Sequence, residues 1–209
     1  MIVLADNDIL LKLAACDLFA EFLSAFAVTP ADIQILKLAR FSLNSKKHRK
    51  RLGDDSYARL VAFLASIADI PTEPDPMVVA ALAEQTDKNI DAGEAALFAI
   101  CPLIPGSIIV TGDKKSLTGL HDAGMVDATC ATLCNAITRR IYCFEQVLVT
   151  ILDHVGFDVI RDRLIAGREC DKGLRLWIGN DLNATEEVVR EGLTSFLNEA
   201  RQTSGSLLA

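Results

Sequence analysis

Three acidic residues stand where apolar segments give out. Asp6 ends "IVLAD", Asp113 ends "SIIVTGD", and Glu94 falls in the first turn of "NIDAGEAALFAI". A carboxylate beside a core must be hydrated, paired or bound to a cation. In a parallel sheet all strands point one way, so acids that follow two strands share one rim, where such sheets bind ligands in a crevice. If the strands before Asp6 and Asp113 are neighbours, their carboxylates lie close and repel unless a divalent cation joins them. Oxygen ligands completed by water suit Mg²⁺ or Mn²⁺. A cation held in this way can activate water for phosphodiester cleavage. Asp6, Glu94 and Asp113 are therefore the candidate catalytic and metal-binding residues.

Each acid also has a local role open to it. Asp6 or Asp8 can cap a helix that starts at Ile9. Asp91 and Glu94, in "DAGE", have the spacing of a capping box. Asp113 can close a turn after Gly112.

A second concentration of chemistry is "KKHRKR" at 46–51, which holds five of the 21 Lys and Arg residues and no acid. The net charge of −7 argues against a general nucleic-acid coat, but the remainder of the chain is more acidic still. The expected picture is an acidic body with one basic loop. Lys46, Lys47, Arg49, Lys50 and Arg51, flanked by Asn44 and Ser45, can take phosphates there. Lys114 and Lys115 add positive charge beside Asp113.

Other reactive residues read as structural. Cys130 and Cys134 share a helical face but lack a second pair for zinc. His121 and Asp122 lie on the surface at a helix end. Trp177, the one tryptophan, anchors the C-terminal part. "GDKKS" lacks the spacing of a phosphate-binding loop, and no nucleophile-elbow serine is present.

The elements that must position these residues alternate strand with helix. Ile2–Ala5 is an apolar run suited to a buried parallel strand. Helices are expected over 9–15, 16–26 and 31–42, with a second strand at 27–29 and Pro30 opening the third helix. Asp54 or Asp55 caps a helix to Ser66, and "SIADIPTEPDP" is a short strand leaving the core through a proline-rich turn. A helix over 77–84, the "DAGE" helix, the strand before Asp113, a helix over 126–139, a strand over 141–143 and a helix over 145–154 follow. This order predicts an α/β fold with helices on both faces of a parallel sheet. From Gly156 the pattern is helical, with an amphipathic helix capped by Asn183 or Thr185, and "QTSGSLLA" is expected to fray.

With 51 % hydrophobic residues and only 6 % aromatics, aliphatic side chains must fill the core. The weakly polar stretch 95–110 is interrupted by Pro102, Pro105 and Gly106, which argues against a membrane span. The start has neither a basic segment nor a cleavage site, and six scattered cysteines suit reduced thiols of a cytoplasmic protein.

In order and spacing, these segments resemble the PIN-domain nucleases, in the branch with a D-x-G-E helix start. "IVLADNDILLKLAACDLFAEF" looks like the family's opening strand and Leu-rich helix. "ADIPTEPDPMVVAAL" and "IDAGEAALFAI" resemble the connector and acid-bearing helix, "IIVTGDKKSL" the Thr-x-Asp strand, and "RIYCFEQVLVTIL" the last strand and closing helix. The likeness covers residues 1–155. It implies a PIN-like three-layer α/β/α domain with first and fourth strands adjacent, extended by a helical segment over 156–209 that has no counterpart. It further implies a Mg²⁺- or Mn²⁺-dependent endoribonuclease for single-stranded RNA, with Asp6, Glu94 and Asp113 as its acids and Asp8 and Asp91 as alternate ligands or supports around them. A small antitoxin-like protein or a second copy of the chain are the implied partners.

The chain departs from the family at two places. A Glu common after the second strand falls at Leu36, with Asp32 the nearest acid, and the acid shortly after Thr-x-Asp gives way to Lys114, Lys115 and Ser116. Two other readings remain open at this point. One is a catalytically weakened PIN-fold RNA-binding or scaffold protein. The other is a haloacid-dehalogenase-type phosphatase using Asp6 as nucleophile and Asp8 as general acid/base.

Overall fold

The opening apolar run forms β1 (Val3–Ala5), and all three of its side chains are buried. The stretch before Asp113 forms β4 (Ile108–Thr111), likewise buried throughout. Between and beyond them lie β2 (Ile33–Ile35), β3 (Ala68–Asp69) and β5 (Ile141–Cys143). The computed structural model describes residues 1–85, 90–178 and 184–209. In it these strands make one sheet in the order β3-β2-β1-β4-β5, with every pairing parallel. Strands buried on both faces are what a continuous aliphatic run encodes. The order reverses between β1 and β4, which puts the topological switch point there.

Alternate side chains of the strands feed two cores. Val3, Ala5, Ile33, Ile35 and Val110 pack with α1 (Asn7–Ala15), α5 (Asp54–Ser66) and α10 (Phe144–Val155). Leu4, Ile109, Ile141 and Cys143 pack on the other face with α6 (Pro76–Gln85), α7 (Ala92–Ile100), α8 (Lys114–Val126) and α9 (Ala128–Ala136). The α/β expectation with helices on both faces therefore holds.

Several local expectations do not. Residues 27–29 are not a strand: Ala27 has φ +51° and ends α2 (Phe19–Ala25), with Val28 N–H bonded to Leu23 O. The helix expected over 31–42 is split. Pro30–Asp32 is a 3-10 turn held by Thr29 and Asp32, "IQI" is β2, and α3 (Lys37–Leu43) follows. The period-2 burial of Ile33 and Ile35 was hidden inside a run whose apolar spacing also fits a helix. The basic segment is not a loop but α4 (Lys46–Leu52), capped by Ser45. The helix expected over 126–139 is α9 alone, because α8 itself runs to Val126.

The C-terminal helices α11 (Phe157–Gly167), α12 (Lys172–Ile178) and α13 (Glu186–Ser204) close over both cores. Val189 and Leu193 of α13 enter the first core, Leu197 and Ala200 the second. Thr185 caps α13; Asn183, the other expected cap, lies outside the described residues. Trp177 is buried against Phe196, ring centroids 5.0 Å apart. A Cβ on Gly192 would come within 2.3 Å of the indole, so only glycine admits that packing.

The expected frayed end is instead part of the sheet. Ile141 bridges in parallel to Leu208, Ala209 N–H donates to Ile141 O at 2.9 Å, and Leu207 and Leu208 are buried. Gln146 Nε2 donates to Ala209 O at 2.6 Å. An exposed β5 edge, which would otherwise invite pairing with another chain, is thereby covered. Deleting Leu207–Ala209 should lower the unfolding free energy by about 2–5 kcal/mol, measured by urea denaturation; an unchanged midpoint would show the end to be merely laid on the surface.

Candidate functional site

The last rung between β1 and β4 is the Asp6 N–H donating to Val110 O at 3.0 Å. Beyond it both chains turn into helices. Asp6 is the N-cap of α1, its carboxylate accepting from the N–H groups of Asn7 at 2.6 Å and Asp8 at 3.4 Å. At the end of β4, the Thr111 hydroxyl donates to Asp6 Oδ2 at 3.2 Å and accepts from Asp113 N–H at 3.1 Å. One hydroxyl thus couples the two acid-bearing turns. Asp113 caps α8 by accepting from Lys115 N–H at 2.8 Å. Gly112 between them is required by contact, since a Cβ would lie 2.5 Å from Asp8 Oδ2.

Glu94 completes the group from α7. It forms the capping box with Asp91, each side chain accepting from the other's N–H at 2.8 and 2.9 Å. Only 7 % of Glu94 is exposed. Burial, joined by the negative charges of Asp91, Asp113 and Asp6, pushes its carboxyl up to about 8. Burial, with Asp8 adding repulsion, pushes Asp6 up to about 6. Glu94 therefore stands in the field of both Asp6 and Asp113, as a charge at a shared rim must. Among the described residues, however, no three acids, histidines or cysteines converge at the spacing of metal ligands.

Asp8 faces the other way. Its carboxylate pairs with Lys12 Nζ at 2.8 Å, one helical turn along α1. Lys12 is buried, sits 2.9 Å from Asp171 Oδ2, donates to Gly112 O at 2.7 Å and lies over the Phe144 ring. Burial opposes its charge, but Asp8 and Asp171 outweigh that and hold its pKa above the usual lysine range. Asp171, though itself half-buried, is held below the usual carboxylate range by the same ammonium. The C-terminal segment thus supplies the counter-charge for a lysine that braces the Asp8–Gly112 contact.

Two charged residues at the rim were not singled out in the sequence. One is Asp171. The other is Glu145, just after β5, which is 3 % exposed and pairs with Lys114 Nζ at 2.7 Å; the same ammonium lies 4.3 Å from the centre of the Phe196 ring. Lys114, expected to meet a phosphate, is instead engaged by Glu145, while Lys115 is exposed. The signal for Glu145 was its place after a strand, the same signal that marked Asp6.

A cleft of about 680 Å³ opens beside Asp6, between the ends of β1 and β2, the turn after β3 and the start of α7. Its walls are largely aliphatic, with Leu36, Ile70 and Leu97, and its acids are Asp6, Asp91 and Glu73. Neither Glu94 nor Asp113 is among the residues that line it. Asn7, also on the wall, has a buried Oδ1 without a hydrogen-bond partner. Leu36 occupies the place of the acid absent after β2, and Asp32 belongs to the turn before that strand, bonded to Thr29.

The basic helix α4 packs against α5 and α1. Lys46, Lys47, Arg49, Lys50 and Arg51 are all exposed, though Arg49 pairs with Asp54 at 2.7 Å and Arg51 donates to Cys170 O at 3.3 Å. Between them, burial and the charges of Arg51 and Lys47 hold the His48 imidazole below its usual pKa, with Asp8 acting in opposition. The positive helix is thus within electrostatic reach of Asp8. Cys130 is buried, Cys134 donates to Leu120 O, and His121 packs beneath Gly205.

No known family, characterised protein or solved structure matches the chain. Among the described residues no helix is long and apolar enough to cross a membrane.

Two measurements probe this electrostatic arrangement. Because Glu94 holds its proton to about pH 8 when folded but loses it near 4.5 when unfolded, the folded state binds the extra proton in that window. Stability should therefore fall as pH rises from 4.5 to 8. Glu94→Gln should flatten that slope and be more stable than the parent at pH 8 by up to a few kcal/mol, read from denaturation at several pH values in chelator. Lys12→Met should cost about 3–5 kcal/mol by stranding two carboxylates, and Asp171→Asn added to it should cost less than the sum of the single changes.

Proposed function

We propose that the chain is a Mg²⁺- or Mn²⁺-dependent endoribonuclease of PIN type acting on single-stranded RNA. The observation that supports this reading is the placement of Asp6 and Asp113 after the adjacent strands β1 and β4, with Glu94 in the field of both and the carboxyls of Asp6 and Glu94 pushed up chiefly by burial. Charges destabilised in this way are relieved by a cation. By type the donors suit a hard divalent ion: carboxylate oxygens from Asp6, Glu94 and Asp113, with the unpartnered Asn7 Oδ1 next to Asp6 in the chain. The ion would have to draw the three acids together, since they do not stand at ligand spacing without it. When bound, such an ion would acidify water and offset charge on a phosphate oxygen.

The remaining residues have supporting roles. Thr111 fixes the Asp6 carboxylate, and the Asp91 capping box fixes Glu94. Lys12 holds Asp8 away from the reacting group and keeps the Gly112 turn pressed on α1. The exposed Lys46, Lys47 and Lys50 of α4 would neutralise phosphates flanking the bond to be cut. The aliphatic wall of the cleft would receive an unstacked base, which a single strand offers and a duplex does not. A protein partner of antitoxin type would find Leu38, 81 % exposed on that wall.

One feature favours a second reading, an RNA-binding or scaffold protein with weakened catalysis. Where the family's further acid would follow Thr-x-Asp, Lys114 is committed to Glu145. The phosphatase reading has less support, because Asp8, its general acid/base, is held by Lys12.

Cleavage of a labelled single-stranded RNA in Mn²⁺ should fall by about 100-fold or more in Asp6→Asn and in Asp113→Asn. Lys46→Glu with Lys47→Glu should weaken RNA binding and flatten its salt dependence. RNA binding without turnover at any Mn²⁺ concentration would favour the scaffold, and phosphomonoester hydrolysis that depends on Asp8 would favour the phosphatase.

A further inference from the structure

Away from the acidic rim, at the far end of α1, two thiols face each other. Cys16 Sγ and Cys170 Sγ are 3.9 Å apart, although 154 positions separate them in the chain. Cys16 is fully buried at the C-terminal cap of α1, and Cys170 is half-buried at the end of the 3-10 turn Arg168–Cys170. The two segments are already fastened one helical turn away, where Lys12 meets Asp171, the residue after Cys170. They also touch at Gly167, where a Cβ would come 2.5 Å from Cys16 Sγ and 2.9 Å from Ala15 O. The segments therefore have little room to slide apart, and the sulfur pair forms a second rung beside the ion pair.

We propose that Cys16 and Cys170 are a peroxide-responsive dithiol that closes to a disulfide, joining α1 covalently to the C-terminal helices. Cys170, the more accessible thiol, attacks a hydroperoxide. Its sulfur takes one oxygen, the O–O bond breaks, and water or an alcohol leaves, giving a sulfenic acid. The sulfur of Cys16 then attacks the Cys170 sulfur. The S–S bond forms, the S–O bond breaks, and the departing hydroxide takes the Cys16 proton as water. Two electrons pass from the thiols to the peroxide. Closure needs the sulfurs to approach by about 2 Å, to the usual bond length near 2.05 Å. The shielded Cys16 meets no solvent oxidant, and its thiol, raised in pKa by the Cys170 contact and by burial, stays protonated until its neighbour is oxidised. The inference is independent of what reaction the rim performs.

The test uses the reduced full-length chain treated with stoichiometric hydrogen peroxide. The expected result is an intact mass lower by two hydrogens, two fewer titratable thiols, and a non-reducing peptide map that links the Cys16 and Cys170 peptides within one molecule. Dithiothreitol should reverse it. Cys170→Ser should abolish the link, and Cys134→Ser should leave it intact. A cross-link between other cysteines or between two molecules, or oxidation that stops at a Cys170 sulfinic acid, would overturn the proposal, as would thiols that remain unchanged. Because the map is read on the unaltered chain, the test does not depend on whether a variant folds.

Discussion

A buried ammonium group is tolerable only where anions and carbonyls surround it, and Lys12 meets that condition by drawing three separate segments together. Asp8 comes from its own helix, the Gly112 carbonyl from the turn after β4, and Asp171 from the start of α12. Removing any one leaves charge in a poorly solvated place, which costs far more than the intact cluster contributes. The turn that carries Asp113 is therefore set against the turn that carries Asp6 by a contact outside the acidic group itself. Gly112 is the steric condition for that contact and Lys12 its electrostatic one.

On the other side of Asp6 the balance is reversed. There, burial raises the proton affinity of Asp6 and Glu94, and at Glu94 the charges of Asp91, Asp113 and Asp6 add to it. One end of α1 is thus electrically satisfied and the other is strained within a few residues. That contrast is typical of ligand-binding rims, where stability is sacrificed locally while the surrounding scaffold compensates. The positive helix α4 lies close enough to α1 for His48 to sense Asp8.

The parts legible in the sequence were those whose signal is local. "IVLA" and "SIIVT" announce buried strands because β-branched and aliphatic runs bounded by Asp or Gly have few other uses. Their acids were found for the same reason. The strand "IQI" was not legible, because three residues inside a longer apolar run cannot announce a period of two. Helix α4 was hidden by its uniform charge, which gives no apolar stripe; Ser45 as cap and packing on α5 make it a helix. Asp171 and the paired end at Leu208 could not be read at all, since their meaning lies in partners brought from distant parts of the chain.

The pairing of Lys12 with Asp171 and of Ile141 with Leu208 also sets an order in time. During synthesis, the first strand and its helix leave the ribosome long before either counterpart exists. Until the C-terminal segment emerges, Lys12 has only Asp8 and water for company, and β5 presents a bare edge. Contacts of such long sequence separation slow the search for the native state. The nascent chain must therefore wait, with Lys12 and the β5 edge each short of a partner, until the segment that carries Asp171 and Leu208 has been made.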